Sequence, residues 1–230
     1  MKGDVNQEIT KETVVVEKPK KKGNGCLIAI LIILLILVGI VVAGYLGYKK
    51  VIKMVEGKSL GVTYTQQDYD DLMNNIGLEA SPEVLCLDCT ATEYSEPKEI
   101  EITVSNAQAS AAFEYVNEHM SFAKISGTQI KMSDGKAELV TSLTFQGKTF
   151  PIYMSGTVSK DSNNSITGQV YDLKAGGLNL PSNINTLVQE GLLSVANQKL
   201  SSAGDTVRID TLELTKDGLK FDGLVPSVIK

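Results

Sequence analysis

The sequence predicts an α+β protein in which an N-terminal single transmembrane helix precedes a curved antiparallel sheet packed against a long amphipathic helix. Three observations carry that prediction. Residues 26–48, CLIAILIILLILVGIVVAGYLGY, run for 23 positions without a charged side chain. Ala137, Leu139, Thr141, Leu143 and Phe145, and then Ile152, Met154, Gly156 and Val158, recur at a spacing of two, the period of a strand with one covered face. Ile184, Leu187, Val188, Gly191, Leu192, Val195, Ala196 and Leu200 fall on one helical stripe.

At 1.5 Å rise per residue the uncharged run gives a helix of roughly 34 Å, enough to cross a hydrocarbon core about 30 Å thick. It is too long for the apolar region of a cleaved signal peptide. Cys26 precedes the run, which argues against a lipoprotein signal; an unmodified thiol is expected there rather than an acylated one. Ala43 and Gly47, four residues apart, give a weak signal for a helix dimer. The flanking lysines, Lys18, Lys20, Lys21 and Lys22 against Lys49, Lys50, Lys53 and Lys58, do not set the orientation. The polar composition of the short N-terminal side does, because it has no core to fold. Residues 1–25 are therefore expected to be a disordered cytoplasmic tail, 49–60 a juxtamembrane linker, and 61–230 an extracytoplasmic domain of a single-pass cell-membrane protein.

Charge is segregated across the run. Residues 1–50 hold 8 Lys/Arg and 4 Asp/Glu, whereas residues 51–230 hold 14 and 23, a net +4 before and −9 after. An acidic domain with Arg208 as its one arginine and no tryptophan excludes nucleic acid as a partner, since phosphate backbones require clustered Lys and Arg.

Within the domain, Thr65 caps a short helix through Tyr69, Leu72, Met73 and Ile76 that stops at Gly77. Ile100, Ile102 and Val104 alternate as a strand. The period then changes, and a helix is expected from about Ala107 to Glu118, capped by Ser105 or Asn106, with Ala111, Ala112 and Tyr115 on one face. The two alternating strands, joined by FQGKTFP, and a third from Ile166 to about Leu173 after KDSNNS form an antiparallel meander. The long helix, capped by Ser182 or Asn183, follows. A hairpin around Asp217-Gly218 closes the chain, with Val207 and Ile209 out of phase with Leu212 and Leu214, which predicts a bulge near Asp210.

The stretch from ITVSNAQASAAFEYVN through the meander, GGLNLPSNINTLVQEGLLSVANQKL and the closing VRIDTLELTKDGLKFDG resembles bacterial membrane-anchored proteins of the YpmS type. These are similar in outline to the tubular lipid-binding (TULIP) superfamily. The resemblance runs over residues 60–225 in order and spacing, and has no counterpart for residues 81–97. It implies a module that holds or passes lipid at the membrane surface, with acyl chains in a groove of Leu187, Leu192 and Val195 from the helix and Leu143, Phe145, Ile152 and Met154 from the sheet. Read from spacing alone, the same seven residues are core. The competing function is a non-catalytic protein-interaction or envelope-scaffold domain, favoured by the absence of a chemical signature.

No catalytic residue, metal site or cofactor is predicted. His119 is the only histidine and closes a helix, where a cation near the last carbonyls is ordinary. No serine sits in a G-x-S-x-G turn, GKTF at 147–150 lacks the upstream glycine of a phosphate loop, and Asp68, Asp70 and Asp71 lack the order of a calcium loop. Cys86 and Cys89 stand in C-x-x-C spacing. Leu85 and Leu87 alternate around Cys86 as in a strand, and Glu83 and Asp88 disfavour a thiolate, so a structural role is expected over redox chemistry: a Cys86–Cys89 disulfide in an oxidising compartment, two free thiols outside one.

Overall fold

The computed structural model describes residues 58–80, 82–85, 91, 93–118, 120 and 123–230. The tail, the uncharged run, most of the linker, Cys86, Cys89 and His119 lie outside the described residues. Among the described residues no helix is long and apolar enough to cross a membrane.

The domain is α+β, with curved antiparallel sheet and a long helix. Helix α1 spans Gln66–Ile76. The Asp68 carboxylate accepts from the Thr65 N–H at 2.7 Å, and Gly77 ends the helix in the left-handed conformation at φ 64°. Strand β1 (Glu79–Ala80) and the one-turn helix α2 (Pro82–Leu85) follow. Strand β2 covers Tyr94–Val104, reaching further back into the acidic stretch than its apolar alternation shows. Helix α3 covers Asn106–Asn117, and Ser105 caps it by accepting from the Gln108 N–H.

Strands β3 (Lys124–Ser133), β4 (Lys136–Phe145), β5 (Lys148–Lys160), β6 (Ile166–Ala175) and the short β7 (Leu178–Asn179) form one antiparallel sheet in chain order. The meander therefore has four long strands where alternation indicates three. In β3 the register shifts between Ser126 and Gln129, with Gly127 at φ 65°, so Ile125 falls out of phase with Ile130 and Met132. The Gln146-Gly147 pair, at φ 49° and 74°, closes β4 onto β5 with a tight two-residue turn.

Helix α4 spans Ser182–Ala203 and starts after Pro181, which takes the cap position expected of Ser182 or Asn183. Its Ile184 joins Leu173 and Leu180 in a buried cluster against which Ile152, Met154, Val170, Ala175 and Val188 pack. After it, β8 (Arg208–Thr215) and β9 (Gly218–Ile229) form the closing hairpin, with the expected bulge between Ile209 and Thr211. The turn residues are Lys216 and Asp217 rather than Asp217 and Gly218, because Thr215 pairs with Gly218 and the Lys216 N–H is held by the Asp134 carboxylate of the β3–β4 turn. Strand β9 also pairs with β2 along nearly its whole length and, in parallel, with β1 at its last two residues.

Helix side chains cap part of the free edge of β3 and the part of the β6 edge that β7 leaves unpaired. On β3 the Met132, Ile130 and Thr128 N–H groups donate to Asn106, Ser110 and Glu114 of α3 at 2.8, 2.8 and 2.7 Å. Those acceptors recur every four helix residues, about 6 Å, close to the roughly 6.7 Å between alternate strand residues, so one helix face can follow one strand edge. On β6, Asn197 of α4 exchanges two hydrogen bonds with Ile166, and Gln189 accepts from Val170 at 2.9 Å. Open edges invite strand addition from other chains; here the helices occupy those stretches.

Candidate functional site

With α3 along one edge of the meander and α4 along the other, a trough lies between them over one sheet face. Its cavity measures about 350 Å³, within the range of small-molecule sites. The floor follows the register: Ile130, Leu139 and Met154 stand in one cross-strand row, and Ala137, Gly156 and Val170 in the next. Val158 and Gly168 pair beyond them. Phe113 of α3 forms one wall; Leu192, Leu193 and Ala196 of α4 form the other. Leu192, 36% exposed, stands at the rim. Gly156 and Gly168 leave the floor bare at the β5–β6 seam: a Cβ on either would stand 2.3 or 2.4 Å from a backbone carbonyl oxygen of the neighbouring strand.

Two of the seven groove residues expected from sequence, Met154 and Leu192, line this trough. Val195 is buried on the core side of α4, and Ile152 packs beside the Leu173–Leu180–Ile184 cluster. Leu143 and Phe145 share the sheet face by strand parity but pair with Phe150 and Lys148 near the β4–β5 turn, away from the cavity. Leu187 is 38% exposed and also outside it. Sequence reading omitted Phe113, Ile130 and Leu193. Ile130 lies on the strand whose bulge hid it, and Leu193 lies off the apolar stripe.

A second cavity, of about 470 Å³, is lined by Lys58, Ser59, Gln129, Ser142, Tyr153 and Lys174 among others. The chain enters the domain beside it. The Gln129 side-chain oxygen accepts from the Ser59 hydroxyl and from the Leu60 and Val62 N–H groups, and so straps residues 59–62 to β3. Glu138 accepts from Lys58 at 2.8 Å and from the Tyr153 hydroxyl at 2.6 Å. The Lys58 hydrogen bond first, and that of Tyr153 second, hold the Glu138 carboxyl below its ordinary range; the same Glu138 contact holds Lys58 above its own.

A carboxyl depressed in the folded state contributes above its unfolded pKa, near 4.3, and loses that contribution as pH falls through the lower folded value. The Lys58–Glu138 link is accordingly expected to break on acidification below about pH 4.3. NMR order parameters of residues 58–62 should fall there, and Glu138→Gln should reproduce the fall at neutral pH. Order that survives both treatments would show that Gln129 alone holds the strap.

Among the described residues no group of three or more histidine, cysteine or acidic side chains is placed to hold a metal ion. The trough, lined mainly by apolar side chains, can exclude water from an apolar chain. No protein-family model, curated protein or solved structure matches the chain.

Proposed function

We propose that this protein is a membrane-tethered module that holds or passes lipid, with an acyl chain lying in the α3–α4 trough. The single observation that carries the reading is a preformed cavity floored and walled almost wholly by apolar side chains, Ile130, Leu139, Met154, Val158, Val170 and Leu192 foremost. The uncharged run 26–48 serves as the one membrane span, with residues 1–25 cytoplasmic and the domain outside. A tether of ten residues between Tyr48 and Ser59 keeps the trough near the bilayer. The resemblance to YpmS-type and tubular lipid-binding proteins points the same way.

The energetics suit reversible capture. Each buried methylene is worth about 0.8 kcal/mol, so roughly ten of them gain about 8 kcal/mol before ordering costs, the scale of a micromolar complex at best. The net charge of −9 over residues 51–230 discourages a broad electrostatic embrace of anionic lipid, which leaves apolar burial as the main source of affinity.

The full chain, equilibrated with a photoactivatable fatty acid and irradiated, should carry label on residues 130–139, 154–158 and 189–196. Leu192→Glu places a carboxylate at the rim; because Leu192 is partly exposed, stability should change by about 0.5 kcal/mol or less while labelling falls about tenfold. Phe145→Glu, outside the trough, should label like the wild type. Label confined to residues 26–48, together with selective retention of one envelope protein, would replace this reading with the scaffold reading.

A further inference from the structure

We propose that the cleft beside the entering strap binds the phosphate of an anionic lipid headgroup between Lys58 and Lys174, and so docks this end of the domain on the bilayer. The inference rests on the membrane tether of the preceding section but not on the acyl trough.

Four observations converge on the cleft. First, its charge is opposite to that of the domain. Two ammonium groups flank one ring, Lys58 Nζ at 4.3 Å and Lys174 Nζ at 5.5 Å from the Tyr153 centroid, with Glu138 as the one carboxylate bonded into the cluster. Glu138 balances Lys58; Lys174 has no carboxylate partner among the described residues. A second ammonium in so acidic a domain, stacked on an aromatic ring and lining a cavity, is a cation left available to an external anion.

Second, the remaining polar lining offers donors. Gln129 turns its oxygen to Ser59, Leu60 and Val62, which leaves its NH₂ group without a partner among the described residues. Ser142 adds a hydroxyl. A phosphate oxyanion takes donors only, and an ammonium pair with an amide NH₂ meets that need.

Third, position selects the source. Lys58 lies ten residues beyond Tyr48, the last residue of the uncharged run, so on the tethered reading the cleft is where the chain enters the domain from the bilayer. Fourth, Gly177 lines the cleft, and its neighbour Leu178, which opens β7, is 51% exposed, the highest value among the large apolar side chains of the described residues. An apolar residue beside a phosphate site suits an interface where headgroups meet acyl chains; a soluble phosphate has no use for it.

The test uses the full chain in nanodiscs of phosphatidylcholine alone or mixed in equal parts with phosphatidylglycerol. The rate at which an amine-reactive acetylating reagent modifies Lys174 is read by mass spectrometry relative to Lys216, which is exposed at the β8–β9 turn. The anionic discs should slow Lys174 about fivefold relative to the neutral discs, the scale of one lysine held at an anionic surface, and slow Lys58 with it. Lys174→Gln should remove the protection of Lys58, and Lys174→Arg should keep it. Equal rates in both discs would overturn the site while leaving the tether intact. Protection by added glycerol phosphate in neutral discs, without any from phosphatidylglycerol, would assign a soluble phosphate and overturn docking. A chain that fails to enter either disc would remove the tether, and the headgroup assignment with it.

Discussion

Gly156→Ala is expected to lower the stability of the domain by about 3 kcal/mol, the upper range for overpacking, and to lower its melting temperature by about 10 °C. The Cβ would stand 2.3 Å from the Gln169 carbonyl oxygen, where no side chain can rotate out of the way. Relief requires β5 and β6 to separate. β6 is held from its other edge, because Gln189 and Asn197 of α4 bond Val170 and Ile166, so the shift would propagate into the helix that walls the trough. Gly168→Ala, 2.4 Å from the Thr157 carbonyl oxygen, should cost a similar amount, and the double substitution less than the sum because both relax by the same separation. Urea denaturation followed by hydrogen exchange of β5 and β6 amides measures this. An unchanged midpoint for Gly156→Ala would show that β5 and β6 accommodate the added methyl without separating.

These glycines also show where the sequence stops being informative. Their strand parity is legible: Gly156 falls in the alternation of β5, and the face it shares with Met154 and Val158 is the trough face. Which rows of that face lie under a gap and which under packed core is not legible, because it depends on cross-strand register and on where the helices rest. The helix stripe illustrates the same limit. Apolar spacing places Leu187, Leu192 and Val195 together, but α4 is rotated by its polar residues Gln189 and Asn197, which seek unpaired groups on the β6 edge. Ile184, Gly191 and Val195 then face the core, Leu192 and Leu193 face the trough, and Leu187 is left outside. A glutamine or asparagine on a helix reads as solvent-facing from sequence. Its role as the cap of a distant strand is a tertiary fact.

The bulge in β8 was legible because four apolar residues changed phase around Asp210. The bulge in β3 was not, because its most buried residue, Thr128, is polar and pairs its hydroxyl with that of Thr141 at 3.0 Å. The cleft at Lys58 and Lys174 joins residues more than a hundred positions apart, and no local pattern announces it.

The edge cap on β3 yields the second large effect. Glu114→Ala is expected to destabilise the domain by about 3 kcal/mol, because it strips the acceptor from two donors at once. The Glu114 carboxylate accepts from the Thr128 N–H at 2.7 Å and from the Tyr64 hydroxyl at 2.5 Å. Thr128 is wholly buried, so its N–H has no water to turn to, and an unsatisfied buried donor costs more than a typical bond contributes. Burial, with Glu114 second, raises the Tyr64 hydroxyl pKa far above its ordinary value, so it remains a donor at every pH at which the domain is studied. Glu114→Gln keeps an acceptor oxygen and should cost about 1 kcal/mol, the difference between a charged and a neutral acceptor. Tyr64→Phe should fall between them. Because α1 rests on α3 through the Tyr69–Tyr115 ring pair at 5.6 Å, loss of the Tyr64 link should also loosen α1 before the sheet melts. Amide exchange separates the two events: in Glu114→Ala, Thr128 and the α1 amides should exchange at milder denaturant than the β4 and β5 amides. Thr128 protection equal to that of the wild type would show that the β3 edge draws its stability from packing against α3 and not from the row of acceptors along it.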